Sequence, residues 1–297
     1  MTSRALTLPA GYNAIPGGKF TPLAGSSLGS APITVPPFGI ARTPLTNAQW
    51  GASAQSLGQD CFVLLNHDWN TEVTELVRHG KTPEVAARGT TVLQGDINFN
   101  RGDVMFFGSW ILLKIEDNPS AKYDEEGRIF SGAKQPVVGI TYFHAKAWCL
   151  LKSLEEGGRY LYDLPTDAQY EYVASNGGAK EYGTETGTLF GADGRKLAHI
   201  DECNNGRGAT VAVDDSRYEQ VLPFGVQTMG NVWRWIQMNP TFKRSGDCFI
   251  GPYGLRGGSW GRDPDYGRAT YRLCGLPDLC NYYIGFSPVV VCRDSPK

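Results

Sequence analysis

Apolar and polar residues alternate or recur at helical spacing only over short stretches, so the chain reads as many brief elements. In Ile33-Thr34-Val35 the apolar positions alternate with a polar one, the period of a half-buried strand, and Pro36-Pro37 ends it. Residues Tyr12 to Phe38 as a whole read as such short strands. The continuous apolar run Pro136 to Ile140 predicts a buried strand. Thr141 then predicts the N-cap of a helix from Tyr142 to about Leu154, with Ala147, Trp148, Leu150, Leu151 and Leu154 on one core face. Thr166-x-x-Gln169 is a capping box, Asp167 adds negative charge to the first helical turn, and Gly177-Gly178 ends that helix. Thr46 predicts the cap of a further helix containing Ala48 to Trp50. Between Asn66 and Ala133 the pattern is poorer. That stretch reads as an insertion with at least one strong strand, Val104 to Ile115, and poorly defined loops. Strands do not alternate with helices, which implies an α+β fold rather than a parallel sheet, and nothing splits residues 1–297 into more than one domain.

Composition changes this picture modestly. Among 297 residues there are 37 Gly, 18 Pro, 7 Trp and 14 Tyr, a mix suited to tight turns and large rings filling irregular space. The formal net charge of −2 argues against general affinity for nucleic acid or membrane surfaces. No apolar run reaches the roughly 18 residues of a membrane span, and the N-terminus lacks the apolar core of a secretory signal. Seven cysteines with no C-x-x-C pair fit mostly reduced thiols, and the spacing of Cys274 and Cys280 leaves a bridge between those two open.

The candidate chemistry lies near the C-terminus. Leu255-Arg256-Gly257-Gly258-Ser259-Trp260 and Ile284-Gly285-Phe286 bracket a segment of tyrosines and small or polar residues, the composition of a paratope. The candidate ligand-binding positions are Gly261, Arg262, Asp263, Tyr266, Tyr271, Leu273, Cys274, Gly275, Leu276, Leu279, Asn281, Tyr282 and Tyr283. Every one can be encoded by a codon ending in a pyrimidine, the set reached when the adenines of an AAC codon are replaced. Met, Trp, Lys, Glu and Gln lie outside that set, and none occurs at these positions, although they make up roughly a fifth of ordinary composition. The interspersed framework is Pro264, Arg268, Arg272, Pro277 and Asp278.

Four landmarks in order resemble the formylglycine-generating enzyme (sulfatase-modifying factor) family. They are IPGGKFT with ITVPPF and TPLTNAQW, then QPVVGITYFHAKAWC, then LPTDAQYEYVA, then MGNVWRWI leading to LRGGSW and IGF. The resemblance implies an irregular α+β fold of the C-type lectin class. It also implies an oxidase whose two copper-holding cysteines would fall near Arg262 and Gly267, where this chain has none. A second branch uses a three-histidine iron site, but His67, His79, His144 and His199 lack ligand spacing. The family's calcium turn carries Glu where this chain has Arg234, so no cofactor is expected; for calcium the remaining alternative is the oxygen-rich stretch Asp201, Glu202, Asn204, Asn205. The bracketed segment resembles the variable proteins of diversity-generating retroelements, which include bacteriophage tropism determinants. That resemblance implies a non-enzymatic binder of a protein or glycan on another cell or particle, located on a virion or cell surface, with multimers adding avidity. The alternative it leaves is a divergent enzyme of the same family.

Overall fold

The computed structural model describes residues 8–57, 61–66, 74–78, 104–107, 110–200, 208–218, 222–237 and 253–292. Near its start run β1 (Tyr12–Ile15), β2 (Gly18–Phe20), β3 (Ile33–Val35) and β4 (Phe38–Ala41). The helix α1 (Asn47–Leu57) follows. A four-stranded antiparallel sheet comes next, in the order β6 (Thr74–Arg78), β5 (Cys61–Asn66), β8 (Trp110–Ile115), β7 (Val104–Phe107). Where one strand was expected over Val104 to Ile115 there are thus two, paired with Phe107 opposite Trp110. The intervening Gly108-Ser109 is a two-residue hairpin signal that the apolar run on both sides masks.

A 3₁₀ turn, Pro119–Tyr123, leads to α2 (Tyr142–Glu155), β9 (Tyr160–Asp163) and α3 (Asp167–Ala174). The last part of the chain holds β10 (Trp233–Ile236), β11 (Gly254–Arg256), β12 (Arg272–Cys274), β13 (Ile284–Phe286) and β14 (Val289–Cys292). Pro136 to Ile140 is buried as expected but is not a strand. Pro136 forms a single bridge with Thr46, and Val138 donates instead to the Ser120 hydroxyl at 2.8 Å. Gly139 then turns to φ +73°, which no extended strand permits.

Among the described residues, all three α-helices begin on a threonine whose hydroxyl accepts from the residue three positions on. Gln49 N–H donates to Thr46 Oγ1 at 3.3 Å, His144 N–H to Thr141 Oγ1 at 3.2 Å, and Gln169 N–H to Thr166 Oγ1 at 3.1 Å. Gln49 and Gln169 return the bond to the cap backbone, each at 2.9 Å. Two orphan donors are satisfied at each of these glutamine boxes, which is why such short helices have sharp starts.

One sheet, ordered β1-β4-β14-β9, joins the two ends of the described chain through antiparallel β4·β14 and β14·β9 pairs. The other, ordered β12-β11-β10-β13, carries the C-terminal motifs, with β10 and β13 parallel. Between them α2 buries its apolar face. Tyr142 meets Trp235 edge-on at 5.8 Å, and Trp148 meets Phe286 at 5.6 Å. Edge-to-face pairs of this kind add about 1 kcal/mol each beyond the area they bury.

The α3 box gives the first test. Thr166→Ala should lower the free energy of unfolding in urea by about 1 kcal/mol; an unchanged midpoint would mean the cap does not limit α3.

Candidate recognition surface

The strand register of the second sheet sets three arginines side by side. Arg234 lies opposite Arg256 on β10 and β11, and Arg256 lies opposite Arg272 on β11 and β12. Directly opposed residues share a face, so like charges there repel unless acids intervene. The acids come from α3. Arg256 donates to Asp167 Oδ1 through Nε at 3.0 Å and Nη2 at 2.9 Å, and its Nη2 reaches Glu171 Oε2 at 3.3 Å. Arg272 Nε donates to Asp167 Oδ2 at 3.1 Å. Ser26 adds a hydroxyl bond to Glu171 at 2.7 Å. Both Arg256 and Glu171 are fully buried, and burial pushes the Glu171 carboxyl above its ordinary value against the pull of Arg256.

Arg234 stands where the resembled family has a calcium-binding Glu. It is buried, and its Nη1 donates to the carbonyls of Gly230 at 3.2 Å and Val232 at 2.8 Å. A guanidinium already holds the carbonyls of this turn, so the donor set does not fit calcium. The Tyr170 hydroxyl donates to Thr228 O nearby. Gly257, at φ +92°, packs so closely here that a Cβ would collide with Thr228 O, the Tyr170 hydroxyl and Arg234. The alternative calcium stretch, Asp201 to Asn205, lies outside the described residues.

On this base the candidate segment is held by its main chain. The carbonyl of Asn281 accepts from Gly139 N–H at 3.1 Å, that of Pro277 from Tyr142 N–H at 3.1 Å, and that of Tyr283 from Trp233 N–H at 2.7 Å. Gly275 N–H donates to Tyr253 O at 3.2 Å, and Trp260 Nε1 to Tyr282 O at 3.2 Å. Arg256 Nη1 donates to Ala269 O at 3.0 Å and to Tyr271 O at 3.4 Å. None of these bonds uses a side chain of the thirteen candidate positions.

The candidate side chains fall into three groups. Arg262, Asp263, Leu276 and Leu279 are exposed, the two leucines by 47% and 38%. Gly261, Tyr266, Tyr271, Leu273, Cys274, Asn281, Tyr282 and Tyr283 are half-buried, and Gly275 is buried. The tyrosines form two clusters. Tyr266 and Tyr271 lie 4.8 Å apart against Trp233, and Tyr282 and Tyr283 lie 4.2 Å apart against Trp260. The Tyr271 side also borders an open groove of about 730 Å³ shared with Ser26, Arg268 and Arg272. Only the four exposed side chains are thus largely independent of the core. The tyrosines pack on it, because Trp233 and Trp260 offer ring faces at the rim.

Cysteine chemistry differs from the open alternative. Cys274 is disulfide-bonded, whereas Cys280 is a free thiol, so the two are not joined to each other. Cys280 instead faces the Tyr123 hydroxyl. Cys149 is a buried free thiol whose acidity burial suppresses. Of the histidines, His67 and His79 lie outside the described residues. His144 Nδ1 bonds Thr141 Oγ1 at 2.7 Å, and His199 sits between the Tyr218 hydroxyl and Ala209 O, each at 2.7 Å. Sequence reasoning missed the whole acidic side of the site. Asp167 read only as a helix-start charge, and Glu171 gave no signal at all.

The charge cluster makes a testable contrast. A folded-state pKa raised above the unfolded value means that Glu171 contributes stability at low pH and loses it as pH rises through the folded value. Its ionised form thus costs stability at neutral pH. Glu171→Gln should hold or raise the urea midpoint at pH 7. Asp167→Asn, which strips a shared partner from two buried cations, should cost about 3–5 kcal/mol. A Glu171→Gln loss as large as that of Asp167→Asn would sink this account.

Comparison with known proteins is consistent with this architecture. The family model described as "Sulfatase-modifying factor enzyme 1-like domain" matches residues 3–290. No curated protein sequence matches the chain. Among solved structures, PvdO from Pseudomonas aeruginosa is similar at a TM-score of 0.57 and 19% identity, covering 94% of this chain and 93% of its own. Treponema denticola variable protein 1 is similar at 0.56 and 17%, covering 95% of each chain. CarF is similar at 0.55 and 18%, covering 97% of this chain and 100% of its own. At these identities the structures speak to the fold alone. The family match, spanning nearly the whole sequence, makes the conclusion plain: this chain belongs to the sulfatase-modifying factor enzyme 1-like family and has its α+β, C-type lectin type of fold.

Proposed function

We propose that the chain is a non-enzymatic ligand-binding protein whose Gly261–Tyr283 segment is a recognition surface diversified by adenine-directed mutagenesis. One observation carries the reading: the segment is anchored mainly through its own carbonyl and amide groups while most of its candidate side chains point outward or onto tryptophans, with the disulfide-bonded Cys274 and Asn281, whose Oδ1 accepts from Tyr283 N–H, as exceptions. A main-chain anchor is indifferent to side-chain identity, so many sequences can occupy the loop at little cost in stability. The intervening fixed residues hold the frame. Arg272 pairs with Asp167, Arg268 with Glu181 and Asp265, and Pro277 O receives the Tyr142 N–H that opens α2. Similarity in fold to a protein titled a variable protein fits this reading.

The domain is single, with an insertion at about residues 66–133. The partner is a protein or glycan displayed on another cell or particle, and the protein itself sits on a virion or cell surface. Among the described residues no helix is long and apolar enough to cross a membrane. Rigid tyrosines would supply most of the contact energy, with small polar neighbours adapting to the ligand. The family model is that of an enzyme-like domain, so the second reading is a divergent enzyme.

Sequencing the 3′ end of the gene and its flanks across the source population separates the two readings. Substitutions clustered in the thirteen codons, beside a near-copy bearing adenines at those bases, are the expected result. Variation spread evenly, with no such copy, overturns diversification. In the protein, replacing Arg262, Asp263, Leu276 and Leu279 together should change the unfolding free energy by no more than about 1 kcal/mol. A several-fold larger loss would mean the loop is structural.

A further inference from the structure

The groove beside Tyr271 has two walls of different origin. One is the turn Leu23 to Ser27, on the way from β2 to β3. Ser26 N–H donates to Leu23 O at 3.1 Å, and Gly29 N–H to Ser26 O at 3.3 Å. The Ser26 hydroxyl donates down to Glu171 and accepts from Leu28 N–H at 3.1 Å. The turn is thus rooted on the same buried acids as the arginine row. The other wall is Arg268 to Arg272. There Ala269 N–H donates to Glu181 O at 2.8 Å, and Arg268 forms a backbone bridge with Tyr182.

The charged groups along this groove are matched among themselves. Arg268 pairs with Glu181 at 2.8 Å and with Asp265 at 2.9 Å, and Arg272 pairs with Asp167 at 3.1 Å. Lys180, next to Glu181, gives its amine to the carbonyls of Thr184 and Glu185. Neither sign is left over to select a charged ligand. The groups that remain are hydroxyls. Ser27 is exposed and Thr270 half-buried, and among the described residues neither hydroxyl makes a hydrogen bond. Each can both donate and accept. Leu23 is the one large aliphatic side chain among the described lining residues. The groove therefore lacks the desolvated apolar pocket that receives the anchor residue of a protein partner.

We infer that this groove is a subsite for a neutral saccharide. The inference deepens the proposed ligand-binding role of the segment and rests on that reading. A sugar hydroxyl donates and accepts at once, as the Ser27 and Thr270 hydroxyls do. Two adjacent sugar hydroxyls match the donors of the Arg268 guanidinium and the acceptors of the Glu181 carboxylate beside it, in charge-assisted bonds that require no charge on the ligand. Tyr271 supplies an aromatic surface against which the C–H face of a sugar ring packs. The volume, about 730 Å³, lies within the range of small-molecule sites. Of the thirteen candidate positions Tyr271 alone lines the groove. Sibling proteins with different segments therefore share the ligand class and differ at one contact in which sugar they prefer.

An array of neutral, sialylated and sulfated glycans, probed with the full chain, tests the inference, and calorimetry with the best oligosaccharide quantifies it. Three variants are compared: Ser27→Ala/Thr270→Val, which removes two hydroxyls at nearly constant shape; Ala24→Trp, which fills the groove from an exposed position; and Leu276→Ser/Leu279→Ser, which lies outside it. Melting curves check that each fold is kept. Neutral glycans should be held. Their affinity should fall about tenfold in the hydroxyl-less variant, the scale of two neutral hydrogen bonds, fall below detection in Ala24→Trp, and stay unchanged in the serine variant. Binding confined to sialylated or sulfated glycans overturns the inference, as does a blank array. Unchanged affinity in the hydroxyl-less variant with loss in the serine variant also overturns it, and leaves the segment's recognition role standing. Peptides selected from a displayed random library whose binding Ala24→Trp abolishes put a polypeptide in the groove and overturn the saccharide. Groove-dependent sugar binding by a protein whose gene shows no clustered variation upholds the saccharide site and removes diversification alone.

Discussion

Asp167 is shared by two guanidiniums, and the C-terminal half of the molecule is organised around that carboxylate. Arg256 and Arg272 are cross-strand neighbours on β11 and β12, and both donate to the same side chain from the first turn of α3. Without an acid between them, two buried cations a strand apart would push the sheet open. With it, the pair clamps α3 onto the sheet. Arg256 has donors to spare, and Nη1 holds the carbonyls of Ala269 and Tyr271 where the candidate segment rises from the frame. A charge cluster in the core thus fixes the root of a loop whose upper part faces solvent.

This division of labour would let one region be both ordered and, as proposed, open to change. Order comes from backbone groups, from the fixed arginines and from Trp233 and Trp260, whose rings form the floor. The proposed contacts come from candidate side chains, most of which the main-chain bonds do not require. The tyrosines fall between these extremes. They rest on the tryptophans, so in the proposed recognition role they would lose little entropy, yet each keeps part of its surface exposed. At the glycine turn the buried Arg234 guanidinium likewise satisfies main-chain carbonyls, those of Gly230 and Val232.

Much of the scaffold was legible along the chain. Thr46, Thr141 and Thr166 marked the starts of the three α-helices among the described residues, because capping is a local exchange of hydrogen bonds within four residues. The ordered motifs marked the family, and the segment between Trp260 and Ile284 stood out by composition. Local signals failed where pairing is decided at a distance. Pro136 to Ile140 has the apolar run of a strand, but its amides are taken by Leu45, Ser120 and Asn281. The run Val104 to Ile115 concealed two paired strands because apolar residues flank Gly108-Ser109 on both sides.

The sequence by itself determined the helix caps, the positive-φ glycines, the aromatic supply and the family, since each depends on residues close together or on a motif order. Only the tertiary structure decided that Arg234, Arg256 and Arg272 stand in one row, and that α3 brings Asp167 and Glu171 against Arg256 at its centre. Only it placed Arg128 over Tyr282. The physical reason is register. A strand pair or a ring contact joins residues as distant in sequence as Gly39 and Val290 or Arg128 and Tyr282, and no local pattern encodes which partner the fold will bring.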